Sequence, residues 1–276
     1  MKPLTGEVVA LEGKRGRRSY DKTTGTEAIE IVSAWARNQR LTLGQVKVAV
    51  KSNEITAGPE LLKTLDLEGA VVTVDALNTQ KGIAARSREK KADYVLALKG
   101  NHLGLDKEVA ALFCAVKEER TCGYTSQTSR TLDKEHGRIE ERTCWHVGVS
   151  PDRFGEGHLW KDLRSVAMVE AIREVGEKVS HEVRYYLSSL AVNAEKLNDI
   201  SCGHWAIENS CHWILDVVFR EDDSRVRAGN AAQNLALVRK FALSMLSREQ
   251  SCTRGVKVKR FKAALDLQYL LKILRN

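Results

Sequence analysis

The chain has 276 residues, 43% of them hydrophobic, with 44 Lys and Arg against 36 Asp and Glu for a formal charge of +8. That is enough apolar material for a full core, in one main domain carrying an insertion, and the charge favours a polyanionic partner. No signal peptide and no apolar run near transmembrane length occurs, which argues against a membrane protein and for the cytoplasm. The six cysteines form no Cys-x-x-Cys pair and read as reduced thiols.

In chain order, the pattern predicts strands over 7–12, 27–36 and 41–50, a helix over about 56–66, and a strand over 69–75. A helix over 79–91, a strand over 93–99 and a helix over 103–119 follow. The run Gly69-Ala70-Val71-Val72-Thr73-Val74 is apolar on both faces and stops at Asp75. Such a run suits a strand inside an α/β sheet, whose carboxyl end is where ligands bind. The first strand, Val8 to Leu11, delivers Glu12 directly before Gly13 and Lys14. Pro59 falls in the opening turn of the first predicted helix, where a missing N–H is tolerated. Three strands followed by helix and strand in alternation predict a mixed sheet with helices on both faces.

Residues 120–198 depart from that scheme. Thr121–Arg130 and Ile139–Val149 alternate like a hairpin, and Ser165–Ile172 and Val183–Leu190 add two more strands. This is a β-rich insertion. The end of the chain, 249–276, carries seven Lys and Arg from Arg254 to Arg275 against the single acid Asp266, interleaved with Phe261, Leu265, Tyr269 and Ile273. That pattern predicts a basic amphipathic helix, docked on the body or on a sister subunit ahead of DNA.

The most informative stretch runs from His204 to Val217. Read as a helix, it places His204, Glu208, His212 and Asp216 on one stripe at i, i+4 spacing, with Trp205, Ile207, Trp213 and Ile214 on the other sides. A carboxylate flanked by histidines suits a divalent metal or a phosphate; an ordinary hydrogen-bonding face fits the same spacing. Two strand-end acids, Glu12 and Asp75, together with Glu208, would suit hard cations held through oxygen. Cys202, His204, Cys211 and His212 match no common structural zinc spacing.

Several words along the chain are those of a known family. They are Val32-Ser33-Ala34-Trp35, Lys51 to Ile55, Val74-Asp75-Ala76 with Gln80, and Ala92 to Asn101. Later come His136 to Glu140, Tyr185 to Leu190, the His204 to Val217 helix, Glu221-Asp222 before Arg225 and Arg227, and then Asn230 and Asn234. From about residue 5 to about 247 the chain resembles the insertion-sequence transposases that include the H-repeat-associated proteins, members of the DDE class. The resemblance implies a ribonuclease H-like fold, with a catalytic core split between 1–119 and 199–248. It assigns the three metal-binding acids to Glu12, Asp75 and Glu208, and implies two Mg²⁺ ions, with Mn²⁺ a substitute. Asp75 would bridge both ions. Strand cleavage and strand transfer on DNA would follow, with no protein nucleophile needed. Lys14, Arg15, Lys51, Asn53, Lys99, Asn101, Arg138, His204, Arg225 and Arg227 are the candidate DNA contacts, and a homodimer on DNA is the expected assembly.

Three departures qualify that expectation. Glu12 stands where the family has Asp, and Cys202 where its helix usually has Arg. Family members also carry several dozen further N-terminal residues, so a truncated copy is expected. The alternative is therefore a weakened or inactive remnant that keeps DNA binding. A nucleotide-binding α/β enzyme is disfavoured, since neither Gly-x-Gly-x-x-Gly after a strand nor Gly-x-x-x-x-Gly-Lys-Ser/Thr occurs.

Overall fold

The computed structural model describes residues 3–23, 25, 27–49, 53–118, 123–135 and 137–275. In chain order the described strands and helices are β1 (Val8–Arg15), β2 (Glu30–Ala36), β3 (Leu41–Lys47), α1 (Glu54–Thr64), β4 (Val71–Val74), α2 (Lys81–Glu89), β5 (Asp93–Leu98) and α3 (Leu103–Lys117). They continue as β6 (Ser126–Glu135), β7 (Arg138–Gly148), β8 (Ser165–Val175), β9 (Lys178–Ser188), α4 (Ala194–His204), α5 (Trp213–Val217), α6 (Ala231–Arg248), α7 (Val256–Leu265) and α8 (Leu267–Arg275). The chain forms two compact units, one of Met1–Val8 with Asp66–His204 and one of Val9–Leu65 with Trp205–Asn276.

In the first unit the strand order is β4-β5-β9-β8-β7-β6. β4 and β5 pair in parallel, and every later neighbour is antiparallel, so the sheet is mixed. All four residues of β4 are buried, as its two-faced apolar run requires. Val71, Val95, Val169, Leu197 and Ile200 share one core, which seats α4 against the sheet. The predicted β-rich segment is a four-strand meander. β8 and β9 run longer than their apolar pattern, because their tip exposes Val175 and Val179 and so carries no burial signal, while β6 runs past the predicted end at Arg130 to Glu135.

In the second unit β3, β2 and β1 pair antiparallel in that order. Trp35 is 1% exposed and packs with Ala10, Ile207, Cys211, Leu215 and Leu243, the apolar sides of β1, β2 and three helical segments. Burying an aromatic of that size is worth about 1.5–3 kcal/mol, which pins the helices that follow Trp205 onto β1 and β2. Helix α1 begins at Glu54 rather than near 56, because the Asn53 side chain accepts from the Thr56 N–H and caps it. Pro59 therefore lies inside the helix and not in its first turn, and leaves one carbonyl of that turn without its usual donor. The predicted single C-terminal helix is two, α7 and α8. The break falls at Asp266, whose carboxylate accepts from the Tyr269 N–H and starts the second helix.

Candidate metal centre

β1 carries Glu12 and Lys14 on one face, since alternate residues of a strand point the same way. Gly13 between them faces Glu54 so closely that a Cβ would collide with the Glu54 carboxylate, so this acid at the start of α1 crowds the Glu-Gly-Lys word.

After His204 the helical path does not continue as a plain α-helix. Residues Glu208–His212 form a π turn, in which the Trp213 N–H donates to the Glu208 carbonyl, before α5 resumes. One-turn widenings of this kind are common at functional sites. Within the turn, His212 Nδ1 lies 3.1 Å from Glu208 Oε2 and 3.9 Å from Glu12 Oε2. One ligand atom each from Glu12, Glu208 and His212 all lie within 4.8 Å of one another, so the three could hold a metal ion. The hydrogen bond to His212 holds the Glu208 carboxyl below its ordinary pKa, against the opposing effect of burial, and Lys14 adds to the lowering. Two carboxylates from segments 196 positions apart in sequence (208 against 12) thus meet as a hard-cation donor set.

The stripe predicted for His204, Glu208, His212 and Asp216 is not one ligand set. His204 bonds Thr73 Oγ1 at 3.0 Å, in the first unit, and burial pushes its pKa down to about 4. It is a neutral core imidazole. Asp216 instead accepts from Lys14 Nζ at 2.8 Å.

Asp75 follows β4 in the first unit. Its carboxylate accepts from the Asn78 N–H at 2.9 Å, and its charge partly opposes the lowering of the His204 pKa. The other predicted residues lie as follows. Lys14 is ion-paired with Asp216 and, at 3.5 Å, with Asp222; its own pKa is raised because these partners outweigh burial, which acts the other way. Arg15, Lys99 and Arg225 are exposed. Asn53 caps α1, and Asn101 donates to the Ala76 carbonyl. Arg138 lies 3.6 Å from Glu140, a buried carboxylate that Arg142 and Arg173 also hold. Arg227 sits 3.9 Å from Asp21 and over the Tyr20 ring. Lys51 lies outside the described residues. Cys202, in the place of the family's Arg, contacts the Arg142 guanidinium. Periodicity does not single out Lys240, which is 1% exposed and donates to Ser33 Oγ and Gln45 Oε1.

Residues 6–245 match the model of the transposase DDE domain. The chain belongs to the DDE transposase family, and its mixed α/β architecture is consistent with the ribonuclease H-like fold of that family. It is 39% identical over 274 residues to “Putative transposase YncI” of Escherichia coli O157:H7, which covers 98% of this chain and 70% of the relative. It is 37% identical over 272 residues to “H repeat-associated putative transposase YhhI” of Escherichia coli (strain K12), covering 97% and 71%. “H repeat-associated putative transposase YbfD” of the same strain is 40% identical over 136 residues, 49% of this chain and 53% of the relative. No helix among the described residues is long and apolar enough to cross a membrane.

Proposed function

We propose that this chain is a DNA transposase that cleaves and joins DNA strands at an insertion sequence's ends, with Glu12, Asp75 and Glu208 holding two Mg²⁺ ions, for which Mn²⁺ can substitute. The observation that carries this reading is the meeting of Glu12 and Glu208 beside His212 in a chain of the DDE family. Asp75 joins them on the family resemblance. Bound divalent metal would supply Lewis-acid stabilisation of charge on the phosphate oxygens. The chain's own part is positioning. Strand β1 and the π turn fix two carboxylates on regular structure, and exposed cations such as Arg15, Lys99 and Arg225 would take phosphates. The catalytic core is 1–119 with 199–248, the β-rich segment 120–198 is an insertion, and a cytoplasmic homodimer on DNA is the working assembly.

Glu12 in place of Asp favours a second reading, a weakened or inactive transposase that still binds DNA. One assay separates the two: nicking of an insertion-sequence-end duplex with Mg²⁺ or Mn²⁺, for the chain as it stands and for Asp75→Asn. Metal-dependent nicking lost in Asp75→Asn supports the active enzyme. Binding without nicking in either form supports the remnant.

A further inference from the structure

The two nitrogens of His212 have unlike surroundings. Nδ1 faces Glu208 Oε2 at 3.1 Å and Glu12 Oε2 at 3.9 Å. Nε2 is buried and has no hydrogen-bond partner, on a side chain only 4% exposed. A neutral imidazole carries one N–H and one lone pair, and a buried N–H without an acceptor is rarer than an under-satisfied buried acceptor. The proton therefore belongs on Nδ1, where Glu208 accepts it.

That placement bears on any metal at this site. An Nδ1 ligand must offer its lone pair, which would move the proton to Nε2. Metal-bound histidines pass that second proton to a carboxylate, a carbonyl or water. Among the described residues nothing accepts it here.

We infer that His212 is a positioning residue and not a metal ligand: its Nδ1–H grips one oxygen of Glu208 and holds that carboxylate beside Glu12. The π turn suits the task, because it sets both partners in a single widened turn closed by the bond from Trp213 N–H to the Glu208 carbonyl. The inference rests on the proposed role of Glu12 and Glu208 as metal ligands, but its tests do not need turnover.

The first test reads the ring in the full-length chain, labelled with ¹⁵N-histidine, by two-bond ¹H–¹⁵N correlation with and without Mg²⁺. The His212 signals are assigned by their loss in His212→Asn. A protonated Nδ1 and a bare Nε2 are expected in both states. A proton on Nε2, or its loss from Nδ1 when Mg²⁺ is added, overturns the inference. The second test follows Mn²⁺ binding through the spin-resonance signal of the free ion. Loss of an outer-shell partner costs roughly 10–100-fold in metal affinity, so His212→Ala should weaken binding by that factor. His212→Asn, whose amide N–H can donate from the δ position, should recover most of it, and His212→Gln should not. Equal weakening in Ala and Asn would make the imidazole the ligand. Wild-type affinity in His212→Ala would show that the hydrogen bond positions nothing. Either result overturns the inference. A chain that binds Mn²⁺ but never cuts DNA would defeat the proposed function and leave these readouts standing.

Discussion

Lys14 Nζ donates to Asp216 Oδ2 at 2.8 Å, and the lysine side chain is only 12% exposed. The first cation after Glu12 is thus turned onto an acid 202 positions away. Asp222 lies 3.5 Å from the same ammonium. Lys14→Met would strip part-buried Asp216 of its cation and leave Asp222 to Arg17, and should cost about 1–3 kcal/mol in urea unfolding. It should leave the salt dependence of DNA binding unaltered. A slope reduced by about one would instead put Lys14 on a phosphate.

The neighbouring arginines behave otherwise. Arg17 and Arg18 pair with Asp222 and Asp223 but remain 80% and 55% exposed. Exposed pairs of this kind are worth roughly 0–1 kcal/mol, so a phosphate can displace the acids. Replacing Arg15, Arg17 and Arg18 together by Ala should weaken binding to any duplex and flatten the salt slope, with sequence preference unchanged. An unchanged slope would reduce the three to solvated surface charges.

Asn53 allows two roles to be separated in one residue. Its carboxamide oxygen caps α1, whereas a DNA contact would use the amide N–H groups. Asn53→Asp keeps the cap and adds a favourable charge at the helix N-terminus, so thermal stability should hold or rise slightly. Asn53→Ala should cost about 1 kcal/mol. If Asn53 touches DNA, Asn53→Asp should bind several-fold more weakly despite its intact fold; equal affinity would leave only the cap.

Glu249 should make the stability of the C-terminal region depend on pH. Burial would raise its pKa, but the Ser251 hydroxyl, the Tyr269 hydroxyl and the N–H groups of Ser251 and Cys252 outweigh that and hold it down at about 2. A carboxyl depressed in the fold contributes stability that is complete above its unfolded pKa, near 4.5, and is lost as pH falls toward 2. Stability measured from pH 6 to pH 2.5 should therefore fall more steeply in the wild type than in Glu249→Gln. Parallel curves would show that this carboxylate does not couple folding to protons.

The parts of this molecule legible in its sequence are those set by local burial. β4 announced itself because Val71 to Val74 are apolar on both faces, and the acids Glu12 and Asp75 stood out because each ends an apolar run. The π turn left no such mark. Nothing in Glu208-Asn209-Ser210-Cys211-His212 distinguishes an i+5 from an i+4 ladder, so the four-residue stripe looked unbroken although His204 turns to Thr73 and Asp216 to Lys14. Fates decided by partners far along the chain are invisible to periodicity. The pairing of Lys14 with Asp216 and the burial of Lys240 are of that kind. Asp266 was legible in principle: an acid before the apolar run Leu267 to Ile273 is an N-cap signal, outweighed here by the continuous amphipathic pattern around it.

Glu12 is the residue on which turnover should depend most. Its carboxylate reaches to 3.9 Å from His212 and joins Glu208 in one donor set. Glu carries one more methylene than the family's Asp, which projects the carboxylate about 1.5 Å farther from the same strand. Mg²⁺ demands near-ideal octahedral placement, and a misplacement of about 1 Å can cost about 100-fold in rate. Strand cleavage by the chain as it stands should therefore be weak, with Mn²⁺ more forgiving than Mg²⁺. Glu12→Asp should raise Mg²⁺-dependent cleavage by about 10-fold or more, measured as single-turnover nicking of an insertion-sequence end. Robust cleavage by the wild type, unchanged in Glu12→Asp, would mean that the strand and the π turn already accommodate the longer side chain. If both forms bind DNA and neither cuts it, the defect lies away from residue 12, with Cys202 beside Arg142 the next position to restore.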